Sequence, residues 1–261
     1  MVLAAARVVL ALAGVFTAVR PGVWQAELPM ASSGPLRVVR AVSVRLDPAL
    51  VRFTLERRSR DYGLSGDWSI DRLPNAGSVA FNAGQFSGGA PWGWLVIEGV
   101  ELQPPGTGTL GMSFVVDGEG RVSLVMPGEL ASFRGRALQG FQSYPALLVD
   151  GRLPWELQAP GRGVDLTHRD SRLAIGLTDD GSVVVVLTRF SAMGGAAETF
   201  PWGPTVPEMA AFMTSLGCTR AMLLDGGISG QLAVREGDGS VKRWPNWRTV
   251  PLGLVVTSRS K

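Results

Sequence analysis

The chain has 261 residues, 46% of them hydrophobic, with 34 glycines, 17 prolines and 8 tryptophans. That is enough apolar material for one large domain with a substantial core, and it excludes a disordered chain. Twenty-five basic residues against 22 acidic leave a net charge of only +3. The basic residues are dispersed apart from Arg57-Arg58-Ser59-Arg60, which reads as a solvated face, so no nucleic-acid partner is expected. The single cysteine, Cys218, excludes an internal disulfide and a cysteine-ligated metal centre.

At the N-terminus, Arg7 precedes the uninterrupted apolar or small segment Val8 to Val19, which Arg20-Pro21-Gly22 ends. Such a stretch makes about 18 Å of helix at ~1.5 Å per residue, too short for a ~30 Å hydrocarbon core and the size of a signal-peptide apolar region. Residues 1–26 are therefore expected to be a signal peptide or an N-terminal anchor. The protein is expected to be exported, periplasmic or extracellular, with a membrane contact only through an uncleaved leader.

From Leu36 to Glu56 apolar positions alternate through Val38, Ala41 to Val44 and Leu46, then Val51, Phe53 and Leu55, with Asp47-Pro48 between. This pattern predicts two strands forming a hairpin or edge pair. Tyr62 to Ser78, rich in Gly, Asp, Ser and Pro, reads as an irregular connection. Together 36–78 form the N-terminal strands and connection, and 79–258 the main domain. Val79-Ala80-Phe81 runs into Asn82-Ala83-Gly84, where a strand-end Asn offers a donor and an acceptor to a pocket or closes a turn. Trp94 to Gly99, Met112 to Gly118 and Arg121 to Met126 read as strands. Gly106 to Gly111 has dinucleotide-loop spacing but follows Pro104-Pro105 and leads into a strand-like run, so a Rossmann site is rejected.

Tyr144 to Gly151 is another apolar strand, and Leu173 to Gly176 with Val183 to Thr188 bracket the turn Thr178-Asp179-Asp180-Gly181. One helix has clear ends: Thr205 and Glu208 form a capping box, Pro207 lies in the first turn, and Gly217 stands at the C-terminal cap. The strand Cys218 to Leu224 follows it and ends in Asp225-Gly226-Gly227-Ile228-Ser229. Asp225 can accept hydrogen bonds, hold a proton or ligate a hard metal, and the two glycines remove side chains where a ligand would approach; Asp-Gly is equally a common turn pair. The fold class is α+β: a mixed, strand-rich sheet with few helices packed on it, in a single domain.

Phe81-Asn82-Ala83-Gly84, Tyr144-Pro145 through Asp150-Gly151, Ser171-Arg172 through Gly176, the helix Pro207 to Leu216, Leu224-Asp225-Gly226-Gly227-Ile228-Ser229 and Arg248-Thr249-Val250-Pro251, in that order, resemble the phosphodiester glycosidase family. The resemblance covers about Val79 to Val256. It departs from the family's aspartate loop at Leu223, Ile228 and Gly230, where an asparagine, a glycine and a serine are usual.

The resemblance implies a hydrolase of a glycosyl phosphodiester or a related envelope or exopolysaccharide glycan; no cofactor and no set of metal-ligating residues is singled out in the sequence. It implies that Arg172 and Arg248 hold phosphate oxygens, as a guanidinium fork can. Asp225 would serve as general base, nucleophile or electrostatic stabiliser. Asn82 and Ser229 would bind sugar hydroxyls, and Gly84, Gly226 and Gly227 would let the backbone come close. His168, the only histidine, stands beside these as a group able to act near neutral pH or as a solvated loop residue. The altered aspartate loop keeps a second reading open, a catalytically silent carbohydrate- or cell-wall-binding module.

Overall fold

A computed structural model describes residues 15–57, 68–87, 89–192 and 197–259. Most of the expected leader, the Arg58-Ser59-Arg60 part of the basic run and residues 62–67 of the irregular connection lie outside the described residues. The fold is strand-rich, with two α-helices among the described residues: α1, Pro127–Arg134, and α2, Val206–Ser215.

The largest sheet has seven strands in the order Thr17–Arg20, Val23–Pro29, Val39–Leu46, Val183–Phe190, Leu173–Thr178, Cys218–Leu224 and Ala146–Leu148, all paired antiparallel. Residues 17–20 and 23–26, which the sequence reading places in the leader, therefore belong to strands of this sheet, with Val23 fully buried. Side-chain alternation explains why its central strands are apolar throughout. Val183, Val185 and Leu187 point into the main core, while Val184 and Val186 point to the opposite face, where Met209, Ala210 and Met213 of α2 cover them. Cys218 lies on that covered face, where burial pushes its thiol pKa up to about 12, the behaviour of a core thiol.

Two five-stranded antiparallel sheets close the other side of the main core. One runs Val241–Trp244, Leu232–Arg235, Gly77–Asn82, Leu252–Ser258, Val51–Arg57; the other runs Val122–Val125, Met112–Asp117, Ala137–Ser143, Leu95–Ile97, Val100–Gln103. The expected hairpin of Val39–Leu46 with Val51–Arg57 does not form. The first strand pairs with Val183–Phe190 and the second with Leu252–Ser258. Between them the Asp47 carboxylate accepts the Ala49 N–H at 2.9 Å and its carbonyl accepts those of Leu50 and Val51, turning the chain from one sheet to the next. Val42, Val44 and Leu46 then meet Val51, Phe53 and Leu55 across the main core. Alternation fixes which face a strand buries, but not its hydrogen-bonded neighbour.

The capping box of α2 forms as expected. The Thr205 hydroxyl accepts the Glu208 N–H, Glu208 accepts the Thr205 N–H at 2.8 Å, and Gly217 takes φ +84° just past the helix end. Helix α1 has no Ser or Thr cap to announce it. Its Glu129 reaches back to the Met126 N–H at 2.7 Å and also pairs with Arg220.

Candidate active site

Strand register assembles the site. Leu173 stands opposite Leu224 in the antiparallel pair of central strands, so Arg172, just before one strand, emerges beside Asp225, just after the other. On the far side Met222 pairs with Ala146, which brings Tyr144-Pro145 to the same sheet end. There a cavity of about 480 Å³ opens, lined among others by Asp170, Arg172, His168, Asp225, Ser229 and Arg248. Gly226 and Gly227 also line it. Seven of the nine residues singled out in the sequence therefore share one cavity.

The other two, Asn82 and Gly84, stand behind it. Asn82 is fully buried; its Nδ2 donates to the Asp225 carbonyl at 2.8 Å and its Oδ1 accepts the Gln231 N–H at 2.9 Å. The Gly84 carbonyl accepts the Asp225 N–H at 2.8 Å. Fully buried and outside the cavity lining, with each amide atom bonded to backbone, Asn82 anchors both ends of the aspartate loop. Replacing Asn82 by Ala removes both bonds and leaves two buried backbone groups unpaired, so a loss of about 3 kcal/mol of unfolding free energy is expected. Chemical denaturation checks this through the midpoint.

The loop is packed onto backbone rather than onto open space. The Gly227 N–H donates to the Ser171 carbonyl at 2.8 Å, and a Cβ on Gly226 would come within 2.4 Å of that same oxygen. Gly227, at φ +52°, uses the left-handed conformation that glycine adopts without strain, and a Cβ there would meet an Asp170 carboxylate oxygen at 2.9 Å. From the other side Asn246 donates to the carbonyls of Gly227 and Gly230 at 2.6 and 3.0 Å. Buried Arg189 also binds the Gly230 carbonyl, together with those of Trp244 and Pro245, tying the loop to the segment that carries Arg248.

Burial acts on both acids of the cavity in the same direction. Burial raises the Asp225 carboxyl above the ordinary carboxylate pKa, and the neighbouring acid Asp170 adds to the rise; the Ser229 side chain and the charge of Arg248 oppose it. Burial likewise raises Asp170, against the charges of Arg172 and His168 and the Ser171 N–H. Asp170 Oδ1 is buried with no hydrogen-bond partner, and Oδ2 lies 3.8 Å from His168 Nε2. Arg172 donates from Nε to the Pro204 carbonyl at 3.2 Å and from Nη2 to the His168 carbonyl at 2.8 Å, which fixes its guanidinium at the cavity wall. The adjacent Arg169 forms a two-pronged pair with Glu208, both contacts at 2.8 Å, clamping the 165–172 loop to the N-terminus of α2.

Asp170 is the residue that sequence reasoning missed. It is a lone acid in a polar loop, two positions from Arg172, and only the strand register shows that it faces Asp225. Arg189 and Asn246 were missed for a similar reason, since their partners are carbonyls distant in sequence. A second concavity, of about 390 Å³, lies between Val51–Arg57 and Met112–Asp117 and contains none of these groups. No group of three or more His, Cys, Asp or Glu among the described residues has the arrangement of a metal site.

The sequence profile of the phosphodiester glycosidase family matches residues 75–257. Among solved structures, the chain is similar to the catalytic domain of zebrafish N-acetylglucosamine-1-phosphodiester alpha-N-acetylglucosaminidase, auto-inhibited by its pro-peptide, at TM-score 0.61 and 17% identity over 93% of this chain and 84% of that one. It is also similar to a hypothetical protein of Synechocystis, at TM-score 0.56 and 15% identity over 93% and 64% of the two chains. A candidate exported protein of Burkholderia pseudomallei gives TM-score 0.57 and 15% identity over 84% and 74%. No curated protein sequence matches the chain. At these identities the structural likeness establishes the fold.

Proposed function

The chain belongs to the phosphodiester glycosidase family, and from that premise we propose that it is an exported hydrolase cleaving a glycosyl phosphodiester, a sugar 1-phosphate ester of envelope or exopolysaccharide type. The observation that carries the reading is the cavity in which two half-buried carboxyls, Asp170 and Asp225, meet two guanidinium groups, Arg172 and Arg248. A glycosyl phosphodiester presents the complementary chemistry. Its phosphate needs cationic or N–H partners, and its anomeric carbon needs a carboxylate nearby to stabilise positive charge or activate water.

In this reading Arg172 and Arg248 bind the phosphate, Ser229 supports the ionised form of Asp225, and Asp225 acts at the anomeric carbon. Asn82 and Gly84 position the aspartate loop without touching substrate. Leu223 and exposed Ile228 line the cavity where the family usually has an amide and a glycine. Their apolar contact narrows the range of sugars and also supports the second reading, a module that binds glycans without turning them over.

A panel of sugar 1-phosphodiesters, starting with the N-acetylglucosamine 1-phosphodiester class named for the zebrafish relative, separates the two readings. Release of free sugar, abolished in Arg172→Met, is the expected result. Saturable glycan binding with no sugar released from any member of the panel would establish the silent module instead.

A further inference from the structure

Two carboxyls in one cavity pose a question that the family assignment leaves open: which of them holds a proton. The surroundings of Asp170 and Asp225 differ. The Ser229 side chain and the charge of Arg248 on the neighbouring segment favour the ionised form of Asp225. Asp170 has one oxygen sealed from solvent with no donor to stabilise it, lying against the backbone of Gly227, where a Cβ would come within 3.4 Å of Oδ1. An anionic oxygen buried without a donor costs more than the oxygen of a neutral carboxyl in the same place. The charged groups facing the pair are His168, Asp165 and Arg172 on the Asp170 loop and Arg248 across the cavity; Tyr144 closes the third side. Arg169, on the other flank, is engaged by Glu208.

We propose that Asp170 is a second catalytic carboxyl, held neutral, that protonates the departing phosphate oxygen while ionised Asp225 takes a proton from the attacking water. This rests on the hydrolase reading above and divides the work within the same site. The water oxygen bonds to the anomeric carbon and the bond from that carbon to the phosphate oxygen breaks, its electron pair staying on the phosphate. The water proton passes to Asp225, and the Asp170 proton goes to the phosphate oxygen. The products are the free sugar and a phosphomonoester, and one proton returns from Asp225 to Asp170 through solvent before the next turnover. A phosphomonoester takes up its second proton near pH 6, so a carboxyl titrating above the ordinary range is well matched to protonate it, whereas an ordinary exposed aspartic acid would be too strong an acid to hold its proton near neutrality.

The test compares two leaving groups on the same sugar in Asp170→Asn and wild type, with circular dichroism and unfolding midpoints establishing that the variant is folded. Fluoride departs without a proton, so the glycosyl fluoride should be hydrolysed within about tenfold of wild type, while kcat on the phosphodiester falls by roughly 10²–10⁴-fold. The alkaline limb of the phosphodiester pH profile should also disappear. Equal losses on both substrates would give Asp170 a merely structural part and overturn the proposal, as would an unchanged phosphodiester rate. A wild-type protein inert on both substrates would instead overturn the hydrolase reading, and this role with it.

Discussion

Asp225→Asn is expected to lower kcat on a sugar 1-phosphodiester by about 10³-fold or more, and at pH 7 to unfold at a higher temperature than wild type. Both effects come from one cause. The carboxyl is largely removed from water and sits near a second acid, so its folded-state pKa is raised. A raised acid binds its proton more tightly in the folded than in the unfolded chain. Below the unfolded value, about 3.9, both states are protonated and the residue contributes nothing. As pH climbs through that value towards the folded one, the unfolded chain ionises first and stability is lost; above the folded value the penalty is constant. The amide never ionises and escapes it, while its oxygen can still accept from Ser229. The gain in unfolding midpoint should therefore be present at pH 7 and vanish near pH 3. Turnover requires the anion that stability disfavours, so the activity loss is severe. A variant that keeps wild-type turnover removes Asp225 from the chemistry. One that unfolds earlier than wild type at pH 7 shows that the ionised carboxylate is well compensated and contradicts the electrostatic argument.

How much of this site is legible in the sequence depends on how local each feature is. The strand delivering Asp225 is visible because Ala221 to Leu224 is apolar on both faces and stops at a carboxylate followed by two glycines. The capping box of α2 is visible because Thr205 and Glu208 satisfy each other within one turn. Arg172 stands out once the following strand is recognised. Asp170 does not, because nothing in Arg169-Asp170-Ser171 distinguishes a solvated acid from a buried one, and its burial comes from Gly227, more than fifty positions away. Asn82 shows the opposite error. A strand-end asparagine reads the same whether its amide points at ligand or at its own protein, and here Asp225 and Gln231 take both atoms. The hairpin expected for Val39–Leu46 and Val51–Arg57 fails on the same ground: pairing is a long-range property that an alternating pattern does not encode.

Gly226→Ala is the second change with a large expected effect, and it separates two meanings of a glycine in this loop. Sequence reasoning gives Gly226 the task of letting backbone approach a ligand. In the structure the near neighbour is protein: an added Cβ would lie 2.4 Å from the Ser171 carbonyl oxygen and 3.2 Å from the Arg172 Cα, both backbone atoms that no rotamer change can move aside. Gly226 is not among the residues at positive φ, so the methyl group acts through contact and not through backbone strain. The aspartate loop and the 170–172 segment must part, stretching the Gly227 N–H to Ser171 carbonyl bond and carrying Asp225 away from Asp170 and Arg172 together. Overpacking of this kind costs about 1–3 kcal/mol, and a shift of about 1 Å between reacting groups costs roughly 10²-fold in rate. Both losses are expected in the one variant, read as kcat/KM and as a denaturation midpoint. Gly181→Ala is the comparison, since Gly181 stands at φ +81° with open space where its Cβ would go: it should lose stability by about 1 kcal/mol through backbone strain and keep its turnover. If Gly226→Ala keeps full activity, the two loops need no close seating, and the convergence of Asp170, Arg172 and Asp225 on one substrate loses its structural basis.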